Sequence, residues 1–223
     1  MNGALGARAI ASVEADAMKL YCCWGSLASH QVAEEDLLVG DFPIPDHWPR
    51  AYGLDVGWNR TAGVWGALNR ESDCLYLFHE HYIGHAEPAV HAQGLKACDD
   101  WIPGTIDPAS NGRSQHDGQR LIELYRGLGL KLESADNSVE AGIYEVWQRM
   151  ASGRLKVFKS LQSWRAEFRL YRRDEHGKIV KEKDHLMDAM RYLVMSGMSL
   201  MKTKPVKQVD YNEPYVGAGS WMG

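Results

Sequence analysis

Nowhere in its 223 residues does the chain contain a run of about 18 uninterrupted apolar residues, so the sequence offers no membrane-spanning helix. The N-terminus lacks a compact apolar core and carries Glu14 and Asp16, which argues against a secretory signal. Cysteine is scarce. Four residues, two of them the adjacent Cys22 and Cys23, make neither a disulfide framework nor a metal-ligand spacing, and an intracellular, reduced protein is expected. Internal repeats and low-complexity tracts are missing apart from the glycine-rich end, Val216-Gly-Ala-Gly-Ser-Trp-Met-Gly223. A net positive charge is lacking too: the formal balance is -4, which excludes a uniformly basic nucleic-acid coat.

The charge that is present is unevenly spread. Arg154 to Lys183 holds ten Lys/Arg against four acids, a local excess of +6, leaving -10 for the rest. A basic stripe on an acidic body suits a phosphate backbone lying beside an acidic pocket; a solvated charged helix and turn is the plainer reading. Three prolines within seven residues, at 43, 45 and 49, mark an extended stretch that cannot join a sheet ladder internally. A boundary is therefore expected there. Residues 1–46 read as an N-terminal arm or interdomain connector, 47–202 as the folded domain and 203–223 as a loose tail.

After Pro49 the pattern predicts three strands in hairpin succession, at 52–56, 61–68 and 74–82. A helix near 87–100 follows, then a brief strand at 105–107 that Pro108 cuts short. Helix 117–127, strand 130–133, helix 138–151 and strand 155–158 alternate, and a long apolar-periodic helix over 184–201 closes the chain. This order gives an α/β fold, a mixed sheet flanked by helices on both faces.

Four aspartates stand where such a sheet would gather them. Asp55 lies within an otherwise apolar first strand, Asp107 ends another strand, and Asp184 and Asp188 share one face at the start of the last helix, with His185 beside them. A carboxylate inside an apolar strand costs several kcal/mol unless it is paired or binds a metal. Carboxylates that converge repel one another, and hard divalent cations such as Mg²⁺ or Mn²⁺ relieve that repulsion. Individually, each has a plainer role: Asp55 in a turn with Gly57, Asp107 in an Asp-Pro turn, Asp184 as a helix cap. Asp188, one turn inside the helix, has no such alternative and is the expected ligand, with Asp184 as cap or outer partner.

Gly53-Leu-Asp-Val-Gly-Trp-Asn-Arg-Thr-Ala-Gly-Val-Trp-Gly-Ala67, Thr105-Ile-Asp-Pro-Ala109 and Asp184-His-Leu-Met-Asp-Ala-Met-Arg-Tyr192 together resemble the three acidic motifs of the C-terminal nuclease domain of tailed-phage terminase large subunits. The segment Phe42-Pro-Ile-Pro-Asp-His-Trp-Pro49 is similar to the family's interdomain connector, and the likeness runs over roughly residues 40–200. It implies an RNase H-like fold and two-metal endonuclease action on double-stranded, concatemeric viral DNA during genome packaging. Asp55 would bridge two Mg²⁺ or Mn²⁺ ions, with Asp107 holding one and the Asp184/Asp188 cluster the other. His185 would be a secondary ligand or a water-orienting base. The terminase small subunit and the portal protein are the implied partners, and the cytoplasm of an infected bacterial host the implied location. The family's ATPase half carries a P-loop; no G-x-x-x-x-G-K-[ST] occurs here, so the nuclease half alone is expected. Many relatives have consecutive acids where this chain has Asp184-His185.

Other signals are weaker. Arg169 to Lys183 alternates around a Glu-His-Gly-Lys turn and reads as a basic β-hairpin, with Arg172, Arg173, Lys178 and Lys181 as phosphate contacts. His79, His81, His85 and His91 crowd one region without a zinc spacing and read as structural histidines. Trp58, in the loop after Asp55, is the candidate for base stacking, while Trp65, Trp101 and Trp147 read as core. Competing functions are a resolvase or transposase core, a non-catalytic DNA-binding or motor-docking module, and an actin-like nucleotide-binding fold, for which the chain is short and lacks a second phosphate loop.

Overall fold

The computed structural model describes residues 32–112, 120–172, 174, 176, 178–180 and 182–206. Seven strands form one sheet in the order β1-β7-β4-β3-β2-β5-β6. They are β1 (Leu38–Val39), β2 (Arg50–Val56), β3 (Thr61–Asn69), β4 (Cys74–Ile83), β5 (Gly104–Ile106), β6 (Leu132–Ser134) and β7 (Leu155–Phe158). The pairs β2/β3 and β3/β4 are antiparallel and the other four are parallel. Hairpins account for the first kind; the second needs helical crossovers, which the sequence supplies. This is the mixed sheet of an RNase H-like fold.

The helices divide between the two faces. Helices α2 (Pro88–Cys98) and α3 (Leu121–Gly127) cover one, packing Leu95, Ile122 and Tyr125 against Tyr52, Leu54 and Trp65. Helices α4 (Val139–Ala151), α5 (Gln162–Leu170) and α6 (His185–Tyr192) cover the other, over Ala51, Ala62, Val64, Leu75 and Val157. The period-2 alternation of β2 sorts its side chains: Tyr52 and Leu54 go to one core, Ala51 to the other. Gly53 and Asp55 therefore face α6.

Two segments depart from the sequence reading. The long closing helix is interrupted: α6 passes into a π-helical segment at Leu193–Gly197 and ends in the short α7 (Met198–Leu200). The stretch before Arg169 contains α5, which runs through Arg169 and Leu170, so the expected basic hairpin loses its first residues to a helix. Leu161, Trp164, Phe168 and Tyr171 are all buried, at spacings of 3, 4 and 3. That helical stripe was concealed by the charges between them. Ahead of the prolines, the short α1 (Glu34–Leu37) leads into β1, which lies parallel to β7 at the sheet edge, and Leu37, Phe42 and Ile44 pack on the core.

Candidate active site

The register places Leu54 of β2 opposite Ile106 of β5, and the Asp107 N–H donates to the Leu54 carbonyl at 3.0 Å. Asp55 and Asp107 thus leave the same end of two adjacent parallel strands. The third element, α6, crosses this end at very close range. A Cβ on Gly53 would collide with the Ala189 carbonyl oxygen, so only glycine lets the helix backbone rest on β2. That contact sets α6 against the strand end, with His185 in hydrogen-bond reach of Asp55.

Each of the three carboxylates meets a side chain of α6. His185 Nδ1 lies 2.8 Å from Asp55 Oδ2. The Tyr192 hydroxyl donates to Asp107 Oδ1 at 3.2 Å, and the Ala109 N–H donates to the same oxygen at 3.0 Å. Arg191 donates to Asp188 Oδ1 through Nη2 at 3.0 Å and Nε at 3.3 Å. Asp107 thus performs the Asp-Pro turn expected of it and still belongs to the site. The Arg191 pairing was not foreseen, although the Asp-x-x-Arg spacing places the two on one helix face.

The electrostatics couple these groups. Burial first, then the nearby Asp188 and Asp107 charges, push the Asp55 carboxyl above its ordinary range, while His185 pulls it back. His185 is shifted up, chiefly by its hydrogen bond to Asp55, against the cost of burial. Tyr192 is held far above the usual phenol range by burial and by the Asp107 and Asp188 charges, which keeps it a hydrogen-bond donor.

Asp184 does not behave as the sequence suggests. It occupies the N-cap position of α6, but its carboxylate makes no capping bond; its backbone carbonyl accepts the Asp188 N–H at 2.9 Å. The cap comes from elsewhere. Glu167 of α5, buried and 2% exposed, accepts the Leu186 N–H through Oε2 at 2.6 Å and the Tyr82 hydroxyl through Oε1 at 2.5 Å. The sequence does not single out Glu167, because charges at 165, 167 and 169 interrupt the apolar stripe of α5.

Among the described residues, no three His, Cys, Asp or Glu side chains are drawn together as a preformed metal cage. The donor set nevertheless fits a hard divalent ion. Asp55, Asp107 and Asp188 offer only carboxylate oxygens, and burial, with the Asp188 and Asp107 charges adding to it, raises Asp55. His185, Tyr192 and Arg191 provide the counter-groups of Asp55, Asp107 and Asp188.

The remaining candidates fall apart from this cluster. Arg172 and Lys178 are exposed, whereas Arg173 and Lys181 lie outside the described residues. The segment between them turns on Asp174, whose Oδ1 accepts the His176 and Lys178 N–H groups at 2.9 Å, and the Val180 N–H donates to the Arg172 carbonyl. Among the described residues, Arg172 and Asp174 are thus paired with Val180 and Lys178 across a turn. Trp58 is 68% exposed, in the loop that follows Asp55, and His85 stands edge-on to it at 6.0 Å. Trp65 is buried and stacked on Tyr52, while Trp101 and Trp147 are half-buried.

His79, His81 and His91 make contacts with one another and with the core. His79 packs on Trp65, and His81 Nε2 shares a hydrogen bond with His91 Nδ1 at 3.1 Å. Burial, then the neighbouring His91 and His79, pushes His81 down to about 4, and burial lowers His91 as well. A histidine with a depressed folded-state pKa takes up a proton on unfolding between about pH 6.5 and 4. Its contribution to stability is therefore present at neutral pH and is lost as the pH falls through that window, by roughly 3 kcal/mol at most. The melting temperature of the wild type is expected to drop between about pH 7 and pH 5 more steeply than that of His81→Asn. Parallel profiles would show that this pair does not titrate on unfolding.

No described helix is long and apolar enough to cross a membrane. Residues 53–196 match the family model described as the terminase RNaseH-like domain. The terminase large subunit of Enterobacteria phage LP7 is 33% identical over 179 residues, which cover 75% of this chain and 37% of that protein. The chain thus spans little more than a third of that relative. The solved structure of the phage P22 large terminase nuclease domain superimposes with a TM-score of 0.72 at 30% identity, over 81% of this chain and 97% of that one. The nuclease domain of the large terminase from bacteriophage SPP1, solved with bound Mn, shares the fold at 21% identity, with a TM-score of 0.51 over 70% of this chain and 94% of that one. The matched stretch contains both strand-end carboxylates and the whole of α6, and the chain belongs to the terminase RNaseH-like domain family.

Proposed function

We propose that the carboxylate end of the sheet is the active site of a metal-dependent endonuclease that cuts double-stranded, concatemeric viral DNA during genome packaging in the bacterial host. The observation that carries this reading is the geometry: Asp55 and Asp107 leave the same end of adjacent parallel strands, and α6, which carries Asp188, is held to that end through His185 and Asp55. Asp55, central in the sheet, would hold two Mg²⁺ or Mn²⁺ ions in common, with Asp107 and Asp188 on either side and Asp184 near the last. Bound there, divalent ions supply Lewis-acid stabilisation of the phosphate and lower the pKa of a water. The chain's own groups do the rest. His185, one ring nitrogen engaged by Asp55 and the side chain about one-third exposed, orients a water or accepts its proton through the other nitrogen. Arg191 and Tyr192 keep Asp188 and Asp107 in place. The terminase small subunit and the portal protein are the partners this reading implies.

Supercoiled plasmid incubated with the protein is expected to be nicked and linearised with Mg²⁺ or Mn²⁺ and left intact in EDTA. Full cleavage in EDTA would exclude the metal-dependent mechanism.

Basic side chains beyond the site would carry the duplex backbone. Neutralising Arg172 and Lys178 together, as Arg172→Gln with Lys178→Gln, should weaken binding on every sequence. The log–log salt dependence of binding should flatten by about 1 to 2 units, since each lost phosphate contact is worth about 0.9. Binding measured with Ca²⁺ in place of Mg²⁺ checks this, and an unchanged slope would leave the segment as plain surface.

A further inference from the structure

Helix α6 carries the counter-groups of Asp55, Asp107 and Asp188, yet its own N-cap side chain makes no capping hydrogen bond. What fixes its start is a strut from β4, two strands along the sheet from β2 and on the same face as α6. Glu80 of β4 accepts the Ser163 and Trp164 N–H groups, at 2.9 and 2.8 Å, and so caps α5. One turn further along, Glu167 of α5 reaches the Leu186 N–H, in the first turn of α6. Tyr82, on the same face of β4 as Glu80, donates its hydroxyl to the other Glu167 oxygen, and the Arg60 guanidinium lies over the Tyr82 ring at 4.5 Å. A carboxylate with both oxygens engaged and 2% exposure has no freedom to move. Leu186 adjoins His185, so the position of Glu167 is passed directly to the residue that holds Asp55.

We propose that Glu167, gripped by Tyr82, is a positioning residue that sets how tightly the Asp55–Asp107–Asp188 site takes a divalent cation. It acts by fixing the first turn of α6, without itself being a ligand; the inference rests on the metal-dependent reading above. Groups that orient a metal site's own ligands typically govern affinity by 10- to 100-fold. Glutamine suits the test because its carbonyl can still accept from Leu186 while its amide donates to the Tyr82 oxygen. Alanine removes both bonds, and Tyr82→Phe removes one while leaving the ring beneath Arg60.

The experiment is calorimetric titration of Mn²⁺ into the DNA-free protein, with urea unfolding as a control on the fold. Glu167→Ala should weaken Mn²⁺ binding by about 10- to 100-fold. Glu167→Gln should stay within about threefold of the wild type, and Tyr82→Phe should fall between them. Plasmid nicking should need correspondingly more Mn²⁺ for half-maximal rate and regain most of its rate at saturation. A folded Glu167→Ala that binds Mn²⁺ like the wild type overturns the proposal. So does a Glu167→Gln that loses as much as alanine, since that would make the charge itself the active feature. Should Glu167→Ala not fold, unchanged Mn²⁺ affinity in Tyr82→Phe overturns it. A wild-type protein that binds no Mn²⁺ removes the metal-dependent reading itself, a failure distinct from these.

Discussion

Asp55→Asn is expected to lower Mn²⁺-dependent nicking of plasmid by at least about 100-fold, the scale of several kcal/mol of lost transition-state stabilisation, while raising the melting temperature. The two effects share one cause. Asp55 is half-buried at a strand end, and burial first, then the Asp188 and Asp107 charges, push its carboxyl up. A carboxyl whose folded pKa exceeds its unfolded value is destabilising wherever it is ionised in both states, and increasingly so as the pH rises through that interval. Neutral pH therefore shows the full cost, and asparagine removes it. The hydrogen bond to His185 survives, because the amide carbonyl accepts from Nδ1 as the carboxylate does. What is lost is the central hard ligand. Thermal unfolding in EDTA gives one half of the prediction and nicking with Mn²⁺ the other. Near-normal nicking would refute the central role of Asp55, and a lower melting temperature would show that its attraction to His185 outweighs the repulsion.

The sequence disclosed most of this site because its chemistry is local. Asp55 stands out in an apolar strand, Asp107 at a strand's last turn, and Asp184, His185 and Asp188 within one helical turn. What it concealed depends on contacts between distant elements. Glu167 is 18 residues from His185, on a helix whose aromatic stripe, Trp164 and Phe168, is diluted by Arg165, Glu167 and Arg169. Its partner Tyr82 is 85 residues away. Gly53 reads as an ordinary strand glycine until the α6 backbone is seen resting on it. The capping role expected of Asp184 failed for the same reason: local propensity favoured it, but the buried Glu167 carboxylate already satisfies the first turn of the helix. The π-helical segment after Tyr192 has no periodicity signal at all. There the Thr105 hydroxyl donates to the Tyr192 carbonyl at 3.2 Å, a tertiary contact that the apolar pattern cannot report.

Asp188→Asn should abolish cleavage as Asp55→Asn does, but with the opposite effect on stability. Asp188 faces Arg191, a residue 2% exposed whose guanidinium donates a hydrogen bond to it from each of two nitrogens. The arginine cannot swing out to solvent. Its stem lies against α4 at Gly142, where even a Cβ would stand 2.5 Å from the Arg191 Cγ. Its Nη1 is buried without another partner, so Asp188 is its principal counter-charge. Removing one member of a buried ion pair leaves an uncompensated charge, at a cost of about 3–5 kcal/mol. That is a large part of the stability of a domain this size. The companion change should reverse it. Replacing both partners, Asp188→Asn with Arg191→Met, removes the orphaned charge and fills the channel beside Gly142, so most of the stability should return while cleavage stays absent. Urea unfolding of the single and the double variant beside the wild type separates the contributions. If Asp188→Asn is as stable as the wild type, Arg191 has another way to be neutralised and the ion pair does not account for the stability. If Asp188→Asn still cuts while Asp184→Asn is inactive and stable, the last ligand is Asp184, and the two aspartates of α6 exchange roles.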